Sequence, residues 1–139
     1  MAASSVKPEL PASAEPLLLE VADALGSTLD LDTSLKRVAD LVRKVIDYQI
    51  FAILLLNEKT QELRIRFQVG HPPEVVDRIR VKVGEGVTGA AAQKREAVLV
   101  NDVTTSSLYI SSMPEVRSEL AVPLIHKNRV IGVIDIEAP

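Results

Sequence analysis

Three glycines in the segment GEGVTG form the most recognisable chemical pattern in this chain. Gly84, Gly86 and Gly89 match G-x-G-x-x-G, which joins a strand to a helix in dinucleotide-binding folds. Those folds begin with a buried parallel strand and repeat β-α-β units, whereas here a short alternating strand precedes the motif and hairpins surround it. We therefore interpret the segment as a tight turn in which glycine permits left-handed angles and close backbone approach. The N-terminus of the helix that follows could attract an anionic group.

Residues that commonly carry catalysis are scarce. The chain has 0 cysteines and 2 histidines, so disulfides, thiolate metal sites and thiol mechanisms are excluded. Neither His71 nor His126 has a second ligand at metal-like spacing. We expect both on the surface and no metal site, with axial haem ligation as the alternative. Ser118 lacks the neighbouring base and acid of a serine nucleophile, so no catalytic site is predicted.

Acidic residues interrupt two otherwise apolar strands. Glu119, Asp135 and Glu137 lie within segments that read as buried, and a buried charge must be paired or meet a ligand. One interpretation places them at strand ends or on the solvent face, and the other directs them toward a ligand. Tyr109 also has two interpretations, because a tyrosine in a polar loop can cover a pocket or simply anchor the loop.

Composition and length set the class of protein. The 139 residues suffice for one domain with its own core, and we expect a flexible tail over residues 1–15 and the domain over 16–139. A net charge of -3 gives no reason to expect nucleic acid or an anionic membrane as partner. The chain has no run of ~20 apolar residues and no secretory signal pattern. A cytoplasmic protein is the resulting expectation.

The elements that must position these side chains centre on a C-terminal hairpin. Two apolar strands within residues 118–137 flank a turn at Lys127-Asn128, where asparagine tolerates positive φ. We expect this hairpin in the middle of a sheet, with a bulge or an unpaired edge at Pro123.

The rest of the chain alternates between helical and strand patterns. Helical spacing predicts helices at 16–25, capped by Gly26, and at 35–46. Strands are predicted at 48–56, 63–69, 79–83 and 97–100, a short helix at 90–94 and a polar loop at 104–113. Six strands arranged mainly as hairpins, with helices grouped at the start, predict an α+β fold with an antiparallel sheet.

Several motifs together resemble one known family. The segments GEGVTGAAAQKREAVLVNDV, RSELAVPL and RVIGVIDIE, with Tyr109 between the first two, resemble the second half of a GAF domain, and the likeness extends over about residues 17–138. The resemblance implies a GAF/PAS-like, six-stranded antiparallel sheet with helices on one face and a ligand pocket under loops on the other. It also implies a small-molecule sensor or dimerisation domain of bacterial signalling proteins.

Specialised branches of that family can be compared residue by residue. Free methionine sulfoxide reductases are GAF enzymes that work through cysteine, which this chain lacks, although it keeps acids where they hold substrate, at Glu119 and at Asp135 or Glu137. Phytochrome-type members usually attach a bilin through cysteine, and the Asn-Lys-Phe-Asp-Glu signature of cyclic-nucleotide binders is absent. No cofactor is identified.

The resulting interpretation is a non-catalytic sensor or regulatory domain. It would bind an unidentified small molecule, form a homodimer mainly through the helix at 16–25, with a contribution from 35–46, and control an output domain such as a kinase, phosphatase, cyclase or transcription regulator. A ligand-free dimerisation scaffold is the alternative, and an enzyme of the methionine sulfoxide reductase type is a more distant one.

The ligand pocket is expected between the sheet and residues 86–117. Its floor is predicted from Phe51, Ile53 and Phe67, and its wall and lid from Val87, Thr88 and Tyr109. The polar groups expected to reach inward are those of Asp102, Ser118 and Glu119.

Overall fold

The computed structural model describes residues 14–105 and 115–139. The helices are α1 (Ala14–Arg43), α2 (Pro73–Val76) and α3 (Gly86–Lys94), and a 3-10 turn lies at Val103–Thr105. The strands are β1 (Ile50–Asn57), β2 (Glu62–Val69), β3 (Arg80–Lys82), β4 (Val98–Val100), β5 (Ser118–His126) and β6 (Arg129–Ala138). They form one sheet in the order β3-β2-β1-β6-β5-β4, and every neighbouring pair is antiparallel. The predicted α+β fold with six antiparallel strands is confirmed.

The C-terminal hairpin lies in the sheet as predicted. Lys127 and Asn128 have φ values of 49° and 63°, the left-handed angles that a two-residue hairpin turn requires. β6 lies between β1 and β5. Pro123 is opposite Val133 of β6, whereas β4 pairs only with residues 119–121 of β5. The missing N–H of the proline therefore falls beyond the end of β4.

Two β-bulges change which side chains share a face of the sheet. Ile53 is opposite Phe67 but Leu54 is opposite Ile65, so Arg66 is the extra residue of a bulge in β2. In the hairpin, Leu124 is opposite Gly132 and Ile125 is opposite Val130, so Ile131 is the extra residue of a bulge in β6. Each bulge shifts the pairing register by one residue. Beyond the bulge, the side chains that would have pointed to one face of the sheet therefore point to the other.

One face of the sheet packs against α3. The buried side chains of this core are those of Ala52, Leu54, Leu63, Val87, Ala91, Ala92, Ala121 and Val133. The alanines of α3 let the helix lie close to the sheet. The end of α1 lies at the other face, because the Tyr48 hydroxyl donates to the Ala39 carbonyl at 3.0 Å and the Tyr48 ring lies 5.5 Å from that of Phe51.

The glycine motif is the tight turn that was predicted. Gly84 and Gly86 have φ values of 95° and 63°, and the Gly84 amide donates to the Gly89 carbonyl at 2.9 Å. A Cβ atom on Gly89 would lie 2.4 Å from the Lys82 carbonyl oxygen. Glycine is therefore required here for both angle and close approach, and α3 begins at Gly86 rather than at Ala90.

The two predicted N-terminal helices form a single helix, α1, which runs from Ala14 through Gly26 to Arg43. A glycine inside a helix costs only about 1 kcal/mol relative to alanine, so Gly26 does not have to end it. None of the helices within the described residues is long and apolar enough to cross a membrane.

Candidate functional site

A cavity of about 290 Å³ opens between the α3 face of the sheet, the N-terminus of α3 and the connection from β2 to β3. Its apolar lining comes from Ala52, Leu54, Ile65, Pro72, Val75, Ile79, Val81, Gly86 and Val87. Its polar lining comes from His71, Thr88, Glu119, Asp135 and Glu137. The cavity is therefore apolar over most of its wall, and its polar groups are almost all ionisable.

Three carboxyl groups form a compact cluster in this cavity, which we call the carboxyl cluster: Glu119, Asp135 and Glu137. Glu137 is directly opposite Glu119 across the hairpin, and Asp135 lies two residues before it on β6, so all of them point to one face. They are only 6%, 5% and 4% exposed, and one oxygen from each lies within 4.8 Å of the others. The prediction of a solvent-facing position is therefore wrong, whereas Glu119 and Glu137 do lie one residue from a strand end.

Burial keeps protons on this cluster. Loss of solvation raises the pKa of Glu119 to about 7, although a hydrogen bond with Asp135 opposes the rise. The pKa of Asp135 is raised first by burial, then by the hydrogen bond and negative charge of Glu119. The Oδ1 atom of Asp135 is buried and has no hydrogen-bond partner among the described residues. This acceptor is therefore unsatisfied and closed off from solvent.

His71 also faces the cavity. It is 8% exposed, and its backbone amide donates to the Gln68 side-chain carbonyl at 2.8 Å. Burial lowers its pKa, and the nearby charge of Glu137 opposes this effect, so the imidazole is neutral at pH 7. The prediction of a surface position is wrong for His71 and is confirmed for His126, which is exposed.

The predicted floor of the cavity is displaced by one residue along β1. Ala52 and Leu54 line the cavity, and successive side chains of a strand point to opposite faces, so Phe51 and Ile53 lie on the other face. The bulge at Arg66 puts Phe67 there as well. Its ring meets that of Phe51 edge-on, with centroids 6.4 Å apart. The floor assignment of all three residues is therefore corrected.

The remaining predicted site residues divide into two groups. Val87, Thr88 and Glu119 line the cavity. Ser118 is not among the lining residues, and its hydroxyl donates to the Ala138 carbonyl at 3.5 Å. Asp102 is exposed and accepts hydrogen bonds from the Thr104 amide and hydroxyl, at 3.0 and 2.6 Å. Tyr109 lies outside the described residues, as does most of the predicted loop.

Sequence reasoning left open whether Asp135 and Glu137 face the pocket, and it missed His71 as a cavity residue. The available signal was the spacing of Asp135 and Glu137, because acids two apart in an apolar strand share a face. Chemically, the cluster can accept hydrogen bonds from a cation or from a neutral donor. Neither lysine nor arginine occurs among the described lining residues. The apolar walls suit an organic group.

Comparisons with known proteins agree with this architecture. A family model described as GAF domain matches residues 28–139. The chain is 27% identical over 124 residues to the Nif-specific regulatory protein of Herbaspirillum seropedicae, covering 84% of this chain and 23% of that protein. It is 29% identical over 113 residues to the free methionine-R-sulfoxide reductase of Escherichia coli, covering 81% of this chain and 65% of that enzyme. It thus spans less than two thirds of either relative.

A solved structure gives the same fold. The GAF domain from an Acinetobacter phosphoenolpyruvate-protein phosphotransferase superimposes with a TM-score of 0.69 at 22% identity, covering 93% of this chain and 78% of that one. At this identity the likeness concerns the fold alone. The family model, by contrast, matches most of the sequence, and this chain belongs to the GAF domain family.

Proposed function

We propose that this chain is a non-catalytic sensor domain that binds a small molecule in the cavity beside α3 and thereby regulates an output domain. The observation that carries the proposal is the buried carboxyl cluster in an apolar cavity. Burying ionisable groups is costly unless they are fully hydrogen-bonded, and Asp135 Oδ1 lacks a partner among the described residues. An unsatisfied cluster of this kind weakens the fold, and a ligand that completes it would offset the cost. Similarity to a regulatory protein supports the signalling role.

Native mass spectrometry of the purified protein tests the binding role. We expect a retained small molecule at one copy per chain. Ile65→Trp should abolish its retention, because Ile65 lines the cavity and the larger side chain would fill it. Leu99→Trp is the matched control, because Leu99 is 59% exposed and is not among the lining residues. Equal retention by both variants would show that the molecule binds elsewhere.

The similarity to free methionine-R-sulfoxide reductases gives a second candidate function, and the acids of the cavity favour it. We nevertheless predict no reductase turnover, because this chain has 0 cysteines and thiolate attack requires one. The measurement is methionine formation from free methionine-R-sulfoxide with dithiothreitol, with and without added divalent cations. The expected rate equals that of the protein-free control. Repeated turnovers that scale with protein concentration would establish an enzyme instead.

We also propose that the chain forms a homodimer through α1. Leu31, Val38 and Leu41 are 44%, 37% and 54% exposed, and their spacing puts them on one side of the helix. Leu41→Asp should convert the dimer to a monomer, since it places a charge in the apolar contact. Thr33→Asp is the control, because Thr33 is exposed on another side of the same helix.

Multi-angle light scattering at high micromolar concentration reads out this assembly. The wild type and Thr33→Asp should have the mass of a dimer, and Leu41→Asp that of a monomer. A wild type that is monomeric under these conditions removes the dimer from the proposal. Ligand occupancy would reach the output domain by favouring one arrangement of the cavity and the elements around it.

A further inference from the structure

We propose that the acidic N-terminal part of α1 from a second copy of this chain docks across the sheet, on the face away from α3, along a row of residues that begins with two arginines. This inference rests on the proposed homodimer through α1. It adds the surface that α1 contacts in the partner and the charges that fix its position there.

One row of directly opposed residues crosses five strands of the sheet. We call it the open row, and in strand order it consists of Arg80 on β3, Arg64 on β2, Leu55 on β1, Gly132 on β6 and Leu124 on β5. Residues directly opposite each other share a face. Since Leu54 lines the cavity, Leu55 points to the face away from α3. At ~4.8 Å per strand the row is about 19 Å long.

The described residues leave the open row uncovered, although it crosses the middle of the sheet. Leu55 is 40% exposed on a strand with neighbours on both sides, and Leu124 is half-buried. Further along the same face Phe51 is buried, where the end of α1 contacts the sheet through Tyr48. The end of α1 therefore covers one part of this face and leaves an apolar strip at the other.

Two positive charges end the open row. Arg64 and Arg80 are directly opposite each other and exposed, and within residues 14–105 and 115–139 neither guanidinium has a hydrogen bond or an ion pair. Like charges directly opposite across strands repel each other, and the adjacent pair, Glu62 opposite Lys82, has no net charge to offset them. A charge on an edge strand discourages strand addition, but Arg64 is on an inner strand. The pair instead fits a partner that carries carboxylates beside an apolar surface.

The N-terminal part of α1 has that composition. Residues 14–35 contain neither lysine nor arginine, and their acids are Glu15, Glu20, Asp23, Asp30 and Asp32. Apolar residues recur between these acids at helical spacing. A helix with this sequence offers both an apolar strip and carboxylates, so it matches the open row in shape and in charge.

The length of α1 favours a helix from a second copy. α1 is one continuous helix of 30 residues, about 45 Å long at ~1.5 Å per residue, whereas the open row is about 19 Å long. A helix of this length extends beyond one sheet and can reach another. With a twofold axis, each copy gives one helix and receives one, and both open rows are covered.

Salt distinguishes this arrangement from pairing of α1 with α1. Two copies of residues 14–35 side by side would bring acids together, so salt would strengthen that dimer by screening the repulsion. Acids that lie on Arg64 and Arg80 attract, so salt should weaken the dimer. We expect its dissociation constant to rise by roughly three- to tenfold between about 0.05 and 0.5 M NaCl.

Sedimentation velocity over a dilution series at low salt tests the proposal by charge reversal. Arg64→Glu/Arg80→Glu should raise the dimer dissociation constant at least about tenfold, because acids would then face acids across the contact. Lys94→Glu/Lys127→Glu is the matched control, since it makes the same change in net charge at exposed residues outside the open row. The control should dimerise as the wild type does. Urea unfolding of both variants checks that they are folded.

A second charge reversal identifies the partner segment. Glu20→Lys/Asp23→Lys should also weaken the dimer. An equimolar mixture of this variant with Arg64→Glu/Arg80→Glu should form a heterodimer, because one helix–sheet contact is then native and the other has both signs reversed. Each contact again joins opposite charges.

The results that would overturn this contact differ from those that would overturn the dimer. A monomeric wild type would refute both, and its destabilisation in urea by Arg64→Glu/Arg80→Glu, but not by the control, would place the chain's own α1 on the open row. A dimer that Leu41→Asp disrupts, while Arg64→Glu/Arg80→Glu leaves it as tight as the control, would keep the dimer and refute the contact. A mixture of the two reversed variants that stays monomeric would refute the acids of α1 as the partner of the arginines.

Discussion

Glu119→Gln should stabilise the ligand-free protein at pH 8 by on the order of 3 kcal/mol and leave its stability nearly unchanged at pH 4.5. The pKa of Glu119 rises from 4.5 to about 7 on folding because its carboxyl is buried. Between these values the folded protein holds a proton that the unfolded chain has lost. The wild type therefore loses stability as the pH rises through this window. Glutamine has no proton to lose, so the variant keeps its stability.

Other titrating groups act in both proteins and cancel in the comparison only where they are not coupled to Glu119. Asp135, whose pKa is also raised, destabilises the fold in the same direction as the pH rises. His71 acts oppositely: burial lowers its pKa from 6.5, so the folded state binds fewer protons and stability increases as the pH approaches 6.5. The difference between the wild type and Glu119→Gln therefore reports Glu119 together with its effect on Asp135, whose pKa Glu119 helps to raise.

Urea denaturation from pH 4.5 to pH 8 measures this difference directly. The stability curves of the wild type and Glu119→Gln should meet at low pH and separate as the pH rises. Glu85→Gln, which neutralises an exposed carboxylate, should follow the wild type throughout. Curves for the wild type and Glu119→Gln that stay parallel over the whole range would show that Glu119 titrates normally and is not buried.

Gly89→Ala should destabilise the protein by roughly 1–3 kcal/mol, the usual cost of inserting an atom into a packed region. The added Cβ would lie 2.4 Å from the Lys82 carbonyl oxygen and 3.1 Å from the Gly84 nitrogen. Both contacts are with backbone, so no side chain can rotate away and α3 must shift. Because Val87 at the start of α3 lines the cavity, ligand retention should fall as well.

The control for this substitution is Gln93→Ala, since Gln93 is exposed on the same helix. It should change the unfolding free energy by less than about 0.5 kcal/mol. Thermal and urea unfolding of both variants provide the comparison. A Gly89→Ala protein as stable as the wild type would mean that α3 does not pack against β3 as closely as described.

The order and type of most elements could be predicted because they depend on local patterns. Alternation identified β2, turn chemistry identified the hairpin at Lys127 and Asn128, and glycine spacing identified the turn before α3. The continuous apolar run of β1 carried no such information. When every residue of a strand is apolar, periodicity cannot say which side chains face the cavity, and the floor was assigned one residue out of phase.

The carboxyl cluster depends on a feature that the pattern of residues conceals. A regular two-residue turn at Lys127-Asn128 would place Glu119 opposite Ile136. The bulge at Ile131 shifts the register by one and brings Glu119 opposite Glu137 instead. A bulge arises from packing between strands and leaves no clear mark in a β-branched segment. Sequence reasoning could therefore recognise the acids as anomalous without bringing them together.

His71 was missed for a similar reason. A histidine beside two prolines looks like part of an exposed loop, but Gly70 has a φ of 103° and a Cβ atom there would lie 2.1 Å from the Gln49 carbonyl oxygen. The chain after β2 therefore runs close to the backbone just before β1. His71 lines the cavity, and only the three-dimensional path of the backbone reveals this.

The central claim is that the cavity beside α3 is the ligand site and that the carboxyl cluster holds the ligand. A crystal structure of the protein with its retained small molecule tests it most directly. We expect density for that molecule in the cavity, in contact with the carboxyl cluster and with Leu54 and Val87. Density for the molecule only at the surface, with the cavity empty of it, would contradict the claim.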